Sequence, residues 1–425
     1  MRRLLLPLGL AAALFSPFSG VAQTPPPAMA PEDGKPLASP AVQEPSGMLT
    51  LDAALALAEA GSFALSAAGK ELDATEGDVT QARVLPNPEL AVSMEDTRRA
   101  TRNTTGQFNL PIELGGKRAA RIGVAERGRE LAQAELGRVR AELRAAVIAR
   151  FFGVLVAQER VTLAEGSVGI ASKAAAAAGR RVAAGKVAPL EETRARVEQA
   201  NAELELAEAT GALQSARQSL AALWGNTAPR FAQARGDLDA LPSRPAPAAL
   251  QAALEDAPLL AASRLSAERS RAEVAVARSR QYPDVTVSLG AKRDNEANRN
   301  MAVLGVAIPL PIFDRNQGNL YAALRRADKA QDVHAANRIR LANELQQAST
   351  ELSVARAAAQ TLQSSVLPAA EQAYAAATRG FEAGKFNFLD VLDAQRTLFQ
   401  ARIRYLDVLA RTYDAAASID RILGH

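Results

Sequence analysis

Most of this chain carries apolar residues at helical spacing, and two stretches are unusually long. Residues 116–184 and 318–383 predict helices of roughly 100 Å each, at a rise of about 1.5 Å per residue. In the second helix the apolar positions follow the four-three spacing of a coiled coil, with alanines that let helices approach closely: Leu341, Leu345, Ala348, Leu352, Ala355, Ala359, Leu362 and Val366. Pro368 is expected to bend this helix near its far end.

Shorter helices accompany each long one. Residues 49–83 and 248–280 predict a helix ahead of each long helix, and a helix of about 36 to 40 residues follows it after a turn. Placed end to end, the two shorter helices match the length of the long one. The pattern therefore predicts bundles of parallel and antiparallel helices rather than an ordinary globule.

Strict alternation of apolar and polar residues predicts four β-strands of about nine residues, the length that crosses a bilayer when tilted. They cover residues 88–96, 105–114, 283–291 and 302–312, with polar loops between partners. An ordinary half-buried hairpin would need a second sheet or a globular core, and the pattern predicts neither. Four strands cannot close a barrel, and unpaired backbone groups in lipid cost several kcal/mol each. Membrane hairpins would therefore have to be pooled from several chains.

Three markers recur at nearly constant offsets, which indicates a duplicated unit. LPNPELAV at 85–92 corresponds to YPDVTVSL at 282–289 (offset 197), and LPI at 110–112 recurs at 310–312 (offset 200). Ala-Gly-Lys at 184–186 recurs at 383–385 (offset 199). We expect two repeats, residues 48–241 and 242–425, each built as helix, β-hairpin, long helix, turn and helix. The predicted fold class is mostly α with a small β part.

The two Ala-Gly-Lys stretches resemble the end of a phosphate-binding loop, but their spacing does not fit one. The preceding glycines are Gly179 and Gly380, and Val187 or Phe386 stands where such a loop needs Ser or Thr. Gly just past a helix end, followed by a cation near the last carbonyls, is instead typical of a helix stop. Each stretch is therefore predicted to be a tight helix-to-helix turn.

The N-terminus has the features of an export signal. Arg2 and Arg3 precede the apolar run 4–15, and Gly20-Val21-Ala22 is a small-residue cleavage site. The apolar run is too short for a membrane anchor, the alternative interpretation. We expect residues 1–22 to be a signal peptide and 23–47 a Pro-rich, extended linker. The chain has no cysteine, so it offers neither a disulfide nor a thiol for acylation.

Composition argues against several classes of function. The formal net charge of +4 is small for 425 residues and the charges are interspersed, unlike the basic patches of a nucleic-acid-binding protein. His334 and His425 are isolated and no cysteine is present, so neither a metal site nor a cofactor site is predicted; His334 is expected to face solvent on a helix. No catalytic constellation is discernible, and we do not expect an enzyme.

The residues also carry a family resemblance over nearly all of 48–424. The duplicated element order is combined with LPNPEL, FNLPIELGGKRAARI (108–122), IPLPIFDRNQGN (308–319) and FEAGKFNFLDVLDAQRTLFQAR (381–402). Together these resemble the TolC-like outer-membrane factors, most closely the branch that serves cobalt-zinc-cadmium type heavy-metal efflux. Many relatives carry an N-terminal acylated cysteine, which this chain lacks.

The resemblance implies a homotrimer in the outer membrane, with a 12-stranded β-barrel continued by a periplasmic α-helical coiled-coil barrel. It implies passive transport of heavy-metal cations, driven by an inner-membrane RND pump that is joined through a periplasmic adaptor. A duct for type I protein secretion or drug efflux is the alternative, and a soluble periplasmic coiled-coil scaffold is a further one.

The resemblance also assigns roles to the tips of the helical hairpins. The residues implied in adaptor docking are Gly185, Lys186, Val187, Leu190, Gly384, Lys385, Phe386 and Leu389. Asp390 and Asp393 match an acidic ring that narrows the periplasmic entrance, so they are the implied gate. The first half has Glu191 and Arg194 at the same offsets and departs from an all-acidic ring. The plainer interpretation of the two aspartates is that a helix N-terminus favours carboxylates, and the two roles are compatible.

Overall fold

The computed structural model describes residues 44–383, 385–386 and 388–424. The predicted signal peptide, residues 23–43 of the predicted linker, Gly384 and His425 lie outside the described residues. Within those residues the chain is mostly helical, with a four-stranded antiparallel sheet and a short parallel strand pair. The predicted combination of a large α part with a small β part is confirmed.

The order of the elements repeats in the two halves. The first half contains β1 (Met48–Leu49), α1 (Leu51–Gly61), α2 (Phe63–Arg83), β2 (Glu89–Glu95), β3 (Asn103–Ile112), α3 (Lys117–Ala183), α4 (Pro189–Ala221) and β4 (Gln233–Ala234). The second contains α5 (Pro247–Ala253), α6 (Pro258–Ser279), β5 (Val285–Asp294), β6 (Arg299–Ala307), α7 (Gln317–Thr361), α8 (Leu367–Glu382) and α9 (Phe388–Leu423). Each half runs from helices through a β-hairpin to a long helical hairpin.

Both predicted opening helices are divided. Ser62 separates α1 from α2 and caps α2, because its hydroxyl accepts a hydrogen bond from the Leu65 amide at 3.4 Å. In the second half a 3-10 turn at Leu254–Asp256 precedes Pro258, which occupies the favoured first position of α6. The expectation of continuous helices over 49–83 and 248–280 is therefore wrong, since a hydroxyl cap and a proline start interrupt the apolar pattern.

The strand ends differ from those that alternation predicts. β3 begins at Asn103 and β5 continues to Asp294, because these two residues pair in the register that joins the hairpins. β6 ends at Ala307, before Pro309 and Pro311, which have no N–H to donate to a ladder. Alternation of apolar and polar residues identifies the middle of a strand. It does not identify the polar residues near the loops, although these also pair with the neighbouring strand.

The sheet has the strand order β2-β3-β5-β6. β3 and β5 join the two halves, with Phe108 opposite Leu289 and Leu110 opposite Val287. One face carries exposed apolar side chains on every strand: Leu90, Val92, Met94, Phe108, Leu110, Ile112, Val287, Leu289, Leu304 and Val306. β2 and β6 are the edges, and within the described chain neither pairs with a further strand on its outer side.

α7 carries the predicted coiled-coil seam and packs against α6 and α9. Seven of the eight predicted seam residues are buried, and Val366 is exposed. The hydrogen bonding changes to a π-helix at Leu362–Val366, directly before Pro368. Because Pro368 has no N–H, the Ser364 carbonyl lacks its usual α-helical donor. The irregularity expected at this proline is therefore a π-turn.

α3 is 67 residues long and is the scaffold of the helical part. α2 and α4 both pack along it, as do α6 and α9 from the second half. The core where α1, α3 and α4 meet holds large buried side chains: Leu49, Leu57, Val147, Phe151, Val154, Leu220, Trp224 and Phe231. Among the described residues no helix alone is long and apolar enough to span a bilayer; α1 and α2, bent by 45° at their break, meet the criterion of length and composition only as a pair.

The segment that connects the halves is held by Tyr413 of α9. Its ring stacks on Phe152 of α3 with the ring centroids 3.6 Å apart. Its hydroxyl lies 3.1 to 3.2 Å from the carbonyl oxygens of Asp237, Leu238 and Ala240. Burial is the main cause that raises the pKa of Tyr413 to about 12, so the hydroxyl stays protonated and donates a hydrogen bond to this turn of backbone.

The described chain begins with a carboxylate that holds the end of the first half in place. Glu44 accepts hydrogen bonds from the indole N–H of Trp224 at 3.3 Å and the amide group of Asn226 at 2.5 Å. It also accepts from the backbone N–H groups of Arg230 at 2.6 Å and Phe231 at 3.3 Å. One side chain therefore satisfies four donors around the buried Trp224.

We predict that Glu44→Ala lowers the free energy of unfolding by about 2 kcal/mol, because the donors beside Trp224 lose their acceptor. The measurement is the apparent Tm of the purified protein in detergent, followed by circular dichroism. Glu59→Ala is the matched control, since Glu59 is an exposed glutamate of α1. Equal melting temperatures for the two variants would contradict the role assigned to Glu44.

Candidate functional site at the helical hairpin tips

The first tip, between α3 and α4, is a helix end closed by glycine. Gly185 has a φ of 68°, the left-handed conformation that glycine adopts without strain. The amide of Lys186 donates to the Arg181 carbonyl at 2.9 Å, and the amide of Gly185 donates to the Val182 carbonyl at 2.9 Å. This pair of bonds is the Schellman arrangement. The helix-stop interpretation of the first Ala-Gly-Lys stretch is confirmed.

The second tip, between α8 and α9, ends its helix in a corresponding way. The amide of Lys385 donates to the Gly380 carbonyl at 2.8 Å, spanning the same five residues as the bond from Lys186 to Arg181. The amide of Phe386 lies 3.2 Å from the same carbonyl. Gly384, predicted to be the equivalent of Gly185, lies outside the described residues. Both lysines are exposed beside the carbonyl end of a helix, where the dipole favours a cation.

The two tips differ in what covers the helix end. In the second tip the Phe386 ring packs directly on Gly380, so closely that a Cβ at Gly380 would overlap the ring. At the offset of 199, Val187 takes the place of Phe386 and Arg181 the place of Gly380. The Arg181 guanidinium instead lies 4.4 Å from the centre of the Phe381 ring and so connects the first tip to the second.

The helices that leave the tips present apolar and charged groups side by side. Leu190 of α4 and Leu389 of α9 are exposed in the first turns. Deeper along the same helices, Arg396 of α9 pairs with Glu198 of α4 at 2.5 Å. A cavity of about 460 Å³ lies between the two helices and is lined by residues from both: Thr193, Arg194, Val197, Glu198, Leu389, Leu392, Asp393 and Arg396.

The two candidate gate residues lie near this cavity. Asp390 is in the first turn of α9, where the helix dipole favours a carboxylate, and Asp393 lies one turn further and lines the cavity. Both are exposed. At the corresponding positions of α4, Glu191 and Arg194 form a pair at 3.5 Å, so the positive charge of Arg194 faces the same cavity as Asp393.

A second cavity lies above the tips, between α3, α8, α9 and the segment 234–239, with a volume of about 690 Å³. Tyr405 donates to the Asp239 carboxylate at 3.0 Å across its wall. Burial, followed by this hydrogen bond, raises the pKa of Tyr405 to about 12. In the described part of the chain no group of three His, Cys, Asp or Glu residues is placed to hold a metal ion. His334 is partly buried, with its Nδ1 2.7 Å from the Ser263 hydroxyl, rather than freely facing solvent.

The sequence patterns did not predict the contacts that cross between helices. The Arg396–Glu198 pair has a weak signal, because the offset of 199 places the two residues at nearly the same depth with opposite charges. The contact between Phe386 and Gly380 has no signal in the sequence, because a helix-stop pattern does not indicate which side chain packs on the last turn. Among the described tip residues, the amides of Lys186 and Lys385 each donate to a carbonyl at the helix end, and Phe386 covers Gly380.

Comparison with known proteins identifies the class. The chain belongs to the family described as outer membrane efflux protein, which matches residues 54–226 and 249–425. It is therefore an outer-membrane efflux protein, and the family is one of efflux proteins rather than of enzymes. The resemblance seen in the sequence is confirmed, and both matched ranges fall within the two predicted repeats.

Individual relatives narrow the comparison. The chain is 67% identical over 424 residues to the cobalt-zinc-cadmium resistance protein CzcC of Cupriavidus metallidurans, and the match covers 100% of both chains. Among solved structures, CusC superposes with a TM-score of 0.77 at 20% identity, covering 88% of this chain and 91% of that one. The outer membrane protein VceC of Vibrio cholerae gives 0.74 at 21% identity, covering 88% and 96%. These two structures establish the TolC-like fold.

We predict that Gly380→Ala loosens the second tip, because the new methyl group occupies the space of the Phe386 ring. Hydrogen–deuterium exchange of the peptide 380–392 should then become faster, since the amides of Lys385 and Phe386 both lie on the Gly380 carbonyl. Gly179→Ala is the matched control, because a Cβ there meets only the Glu192 carboxyl group, with Oε1 at 3.4 Å and Cδ at 3.6 Å. Equal exchange rates in the two variants would show that the packing of the Phe386 ring does not depend on the absence of a side chain at position 380.

Proposed function

We propose that this protein is the outer-membrane duct of a tripartite efflux system for divalent heavy-metal cations. The observation that carries the proposal is the 67% identity to CzcC, a cobalt-zinc-cadmium resistance protein, over the whole of both chains. An RND pump in the inner membrane would supply the energy, and an adaptor in the periplasm would join the pump to this chain. The duct itself is passive, and its wide interior leaves the choice of cation to the pump.

The working unit in this proposal is a homotrimer. The sheet has an apolar face and two edges whose backbone groups need partners before they can enter hydrocarbon. Within the chain, β3 of the first hairpin pairs with β5 of the second. The same pairing between β6 of one subunit and β2 of the next would close a barrel of about 12 strands, an even number as in bacterial outer-membrane barrels.

The helices would continue the barrel as a tunnel. α3 has 67 residues, or roughly 100 Å at 1.5 Å per residue. Helices of this length are stable only with neighbours along their whole faces, and α2, α4, α6 and α9 supply some of these within the chain. The remaining faces of α3, α7 and α8 are available for adjacent subunits. The result is a continuous wall from the outer membrane into the periplasm.

The tips are the proposed docking surface for the adaptor. Exposed apolar side chains of Leu190, Phe386 and Leu389 stand beside the exposed cations Lys186 and Lys385. An apolar patch with charged neighbours is typical of interfaces between proteins. Gly185, Val187 and Gly384 are the remaining residues that we assign to this surface. Asp390 and Asp393 form the proposed gate, because carboxylates at the narrow end attract cations and repel one another when neutralising charges are absent.

We predict that deletion of the gene makes its host more sensitive to cobalt, zinc and cadmium ions, because efflux then has no outlet through the outer membrane. Minimum inhibitory concentrations measure this directly, and the intact gene on a plasmid should restore resistance. A strain that becomes sensitive to organic drugs but keeps its metal resistance would favour the drug-efflux alternative. Loss of an exported protein would favour type I secretion.

For the gate, we predict that the double variant Asp390→Ala with Asp393→Ala raises single-channel conductance in planar bilayers or changes its preference for cations. The physical reason is the removal of carboxylates from the narrow end of the duct. Asp332→Ala is the control, since Asp332 is an exposed aspartate on α7, remote in sequence from the tips. Unchanged conductance and selectivity would rule out the gating role.

A further inference from the structure

We propose that Phe313 and Tyr321 of one subunit pack against Val84 and Leu85 of the next subunit, forming an apolar seam where barrel and tunnel meet. The proposal rests on the trimer proposed above and adds a defined contact to it. Its basis is the junction between the two halves of a single chain, which acts as a template for the junction between chains.

The junction within the chain is polar and well defined. Asp284, directly before β5, accepts hydrogen bonds from the Leu114 amide at 3.2 Å and from Lys117 Nζ at 2.7 Å. The Tyr282 side chain lies over Gly115, where a Cβ would come within 2.6 Å of its ring. These contacts fasten the second half to the end of β3 and the beginning of α3.

Because the structural unit is duplicated, a junction of the same geometry is expected between neighbouring subunits. Gly116 and Asn316 both adopt the left-handed conformation one residue before α3 and α7, with φ, ψ of 73°, 21° and 56°, 25°. Residues that follow the first hairpin therefore correspond to residues 200 positions later, which follow the second hairpin. Pro86 and Pro283 set an offset of 197 for the chain before each hairpin. Within one chain, residues 113–121 contact residues 281–284. By the same correspondence, we expect residues 313–321 of one subunit to contact residues 84–87 of the next.

Four charged residues of the junction within the chain are replaced by neutral ones at the boundary between subunits. Glu113 and Arg121, which form an ion pair in the first half, correspond to Phe313 and Tyr321. Tyr282 corresponds to Leu85. The charged pair of Lys117 and Asp284 corresponds to Gln317 and Asn87, both neutral. The four charged positions thus hold rings and amides at the boundary between subunits, whereas Asp314 and Arg315 stand where the first half has Leu114 and Gly115.

Exposure shows which of these groups still lack a covering partner. The Glu113 side chain is only 14% exposed, whereas Phe313 is 92% exposed, Tyr321 66% and Leu85 66%. Glu113 pairs with Arg121 in its own half, and the charge of Asp284 from the other half also acts on Arg121. For Phe313 the other half is the neighbouring subunit, which supplies Val84 and Leu85.

Phe313 lies between β6, which ends at Ala307, and α7, which begins at Gln317. Its exposed ring is therefore placed at the junction of strand and helix and outside the apolar face of the sheet.

The same repeat fixes the strand register at the boundary. Val92 opposite Gly106 in the first hairpin corresponds to Leu289 opposite Leu304 in the second. Phe108 pairs with Leu289 within the chain, so Val306 should pair with Val92 of the next subunit. Both valines lie on the exposed apolar face. This strand contact belongs to the trimer itself and is independent of the seam.

The absence of cysteine from the sequence makes a direct test possible. Phe313→Cys combined with Leu85→Cys should form disulfides between chains in isolated outer membranes, which appear as covalent dimers and trimers on denaturing gels. Val306→Cys with Val92→Cys tests the strand pairing in the same way. Phe313→Cys with Leu204→Cys is the negative control, since Leu204 is an exposed residue of α4 far from the seam.

Single variants give a second measurement. Phe313→Ala and Tyr321→Ala should each speed dissociation of the detergent-resistant trimer by about tenfold or more, the effect of losing one buried ring. Leu289→Ala is the control, because Leu289 is also exposed on the single chain but pairs within it.

The outcomes separate the two proposals. If Val306 and Val92 link but Phe313 and Leu85 do not, and Phe313→Ala dissociates like Leu289→Ala, the seam is wrong and the trimer remains. If no detergent-resistant oligomer forms and neither pair links, the trimer and the seam both fail. Links at both pairs, with faster dissociation of the two aromatic variants, support the seam.

Discussion

Pairing of the sheet edges is the constraint on which the rest of this architecture depends. β2 and β6 present backbone N–H and C=O groups on their outer sides, and the sheet between them carries an apolar face. Hydrocarbon offers no water to these groups, so one chain cannot place the sheet in a membrane alone. In the proposed trimer, other copies of the chain supply the partners. Because every strand leads into a helix, the symmetry that closes the sheet is also imposed on the helical part.

The junctions between strand and helix determine how the pairing of the sheet edges affects the position of the tips. Gly116 and Asn316 turn the chain in the same left-handed conformation, and the ion pair of Glu113 with Arg121 steadies the first turns of α3. The first of these helices is 67 residues long. A change of about 5° in its direction at the junction would displace its tip by roughly 9 Å over about 100 Å. Small polar contacts beside the sheet therefore determine whether distant tips meet in register.

The sequence predicted what depends on periodicity and missed what depends on contacts in space. Helical spacing, alternation and the three recurring markers were sufficient for the long helices, the hairpins and the duplication. The same patterns did not reveal the break at Ser62, where one hydroxyl outweighs an unbroken apolar run. Of the site, the turns at Gly185 and Lys385 were predictable from helix-stop chemistry. The pairing of Arg396 with Glu198 had only a weak signal in charge and offset, because it depends on how α4 and α9 pack.

The duplication also has a consequence for the partner that meets the tips. In both turns a lysine amide donates to the carbonyl five residues earlier, yet Phe386 covers Gly380 in one, whereas in the other Arg181 reaches over Phe381. In the proposed trimer these turns would alternate around the entrance, three of each kind. A partner with a single binding mode could fill only alternate positions at full strength. An adaptor that occupies all six positions must therefore tolerate both an aromatic and a cationic surface, or use two modes of contact. Non-equivalence of the tips thus limits the partner as strongly as their chemistry does.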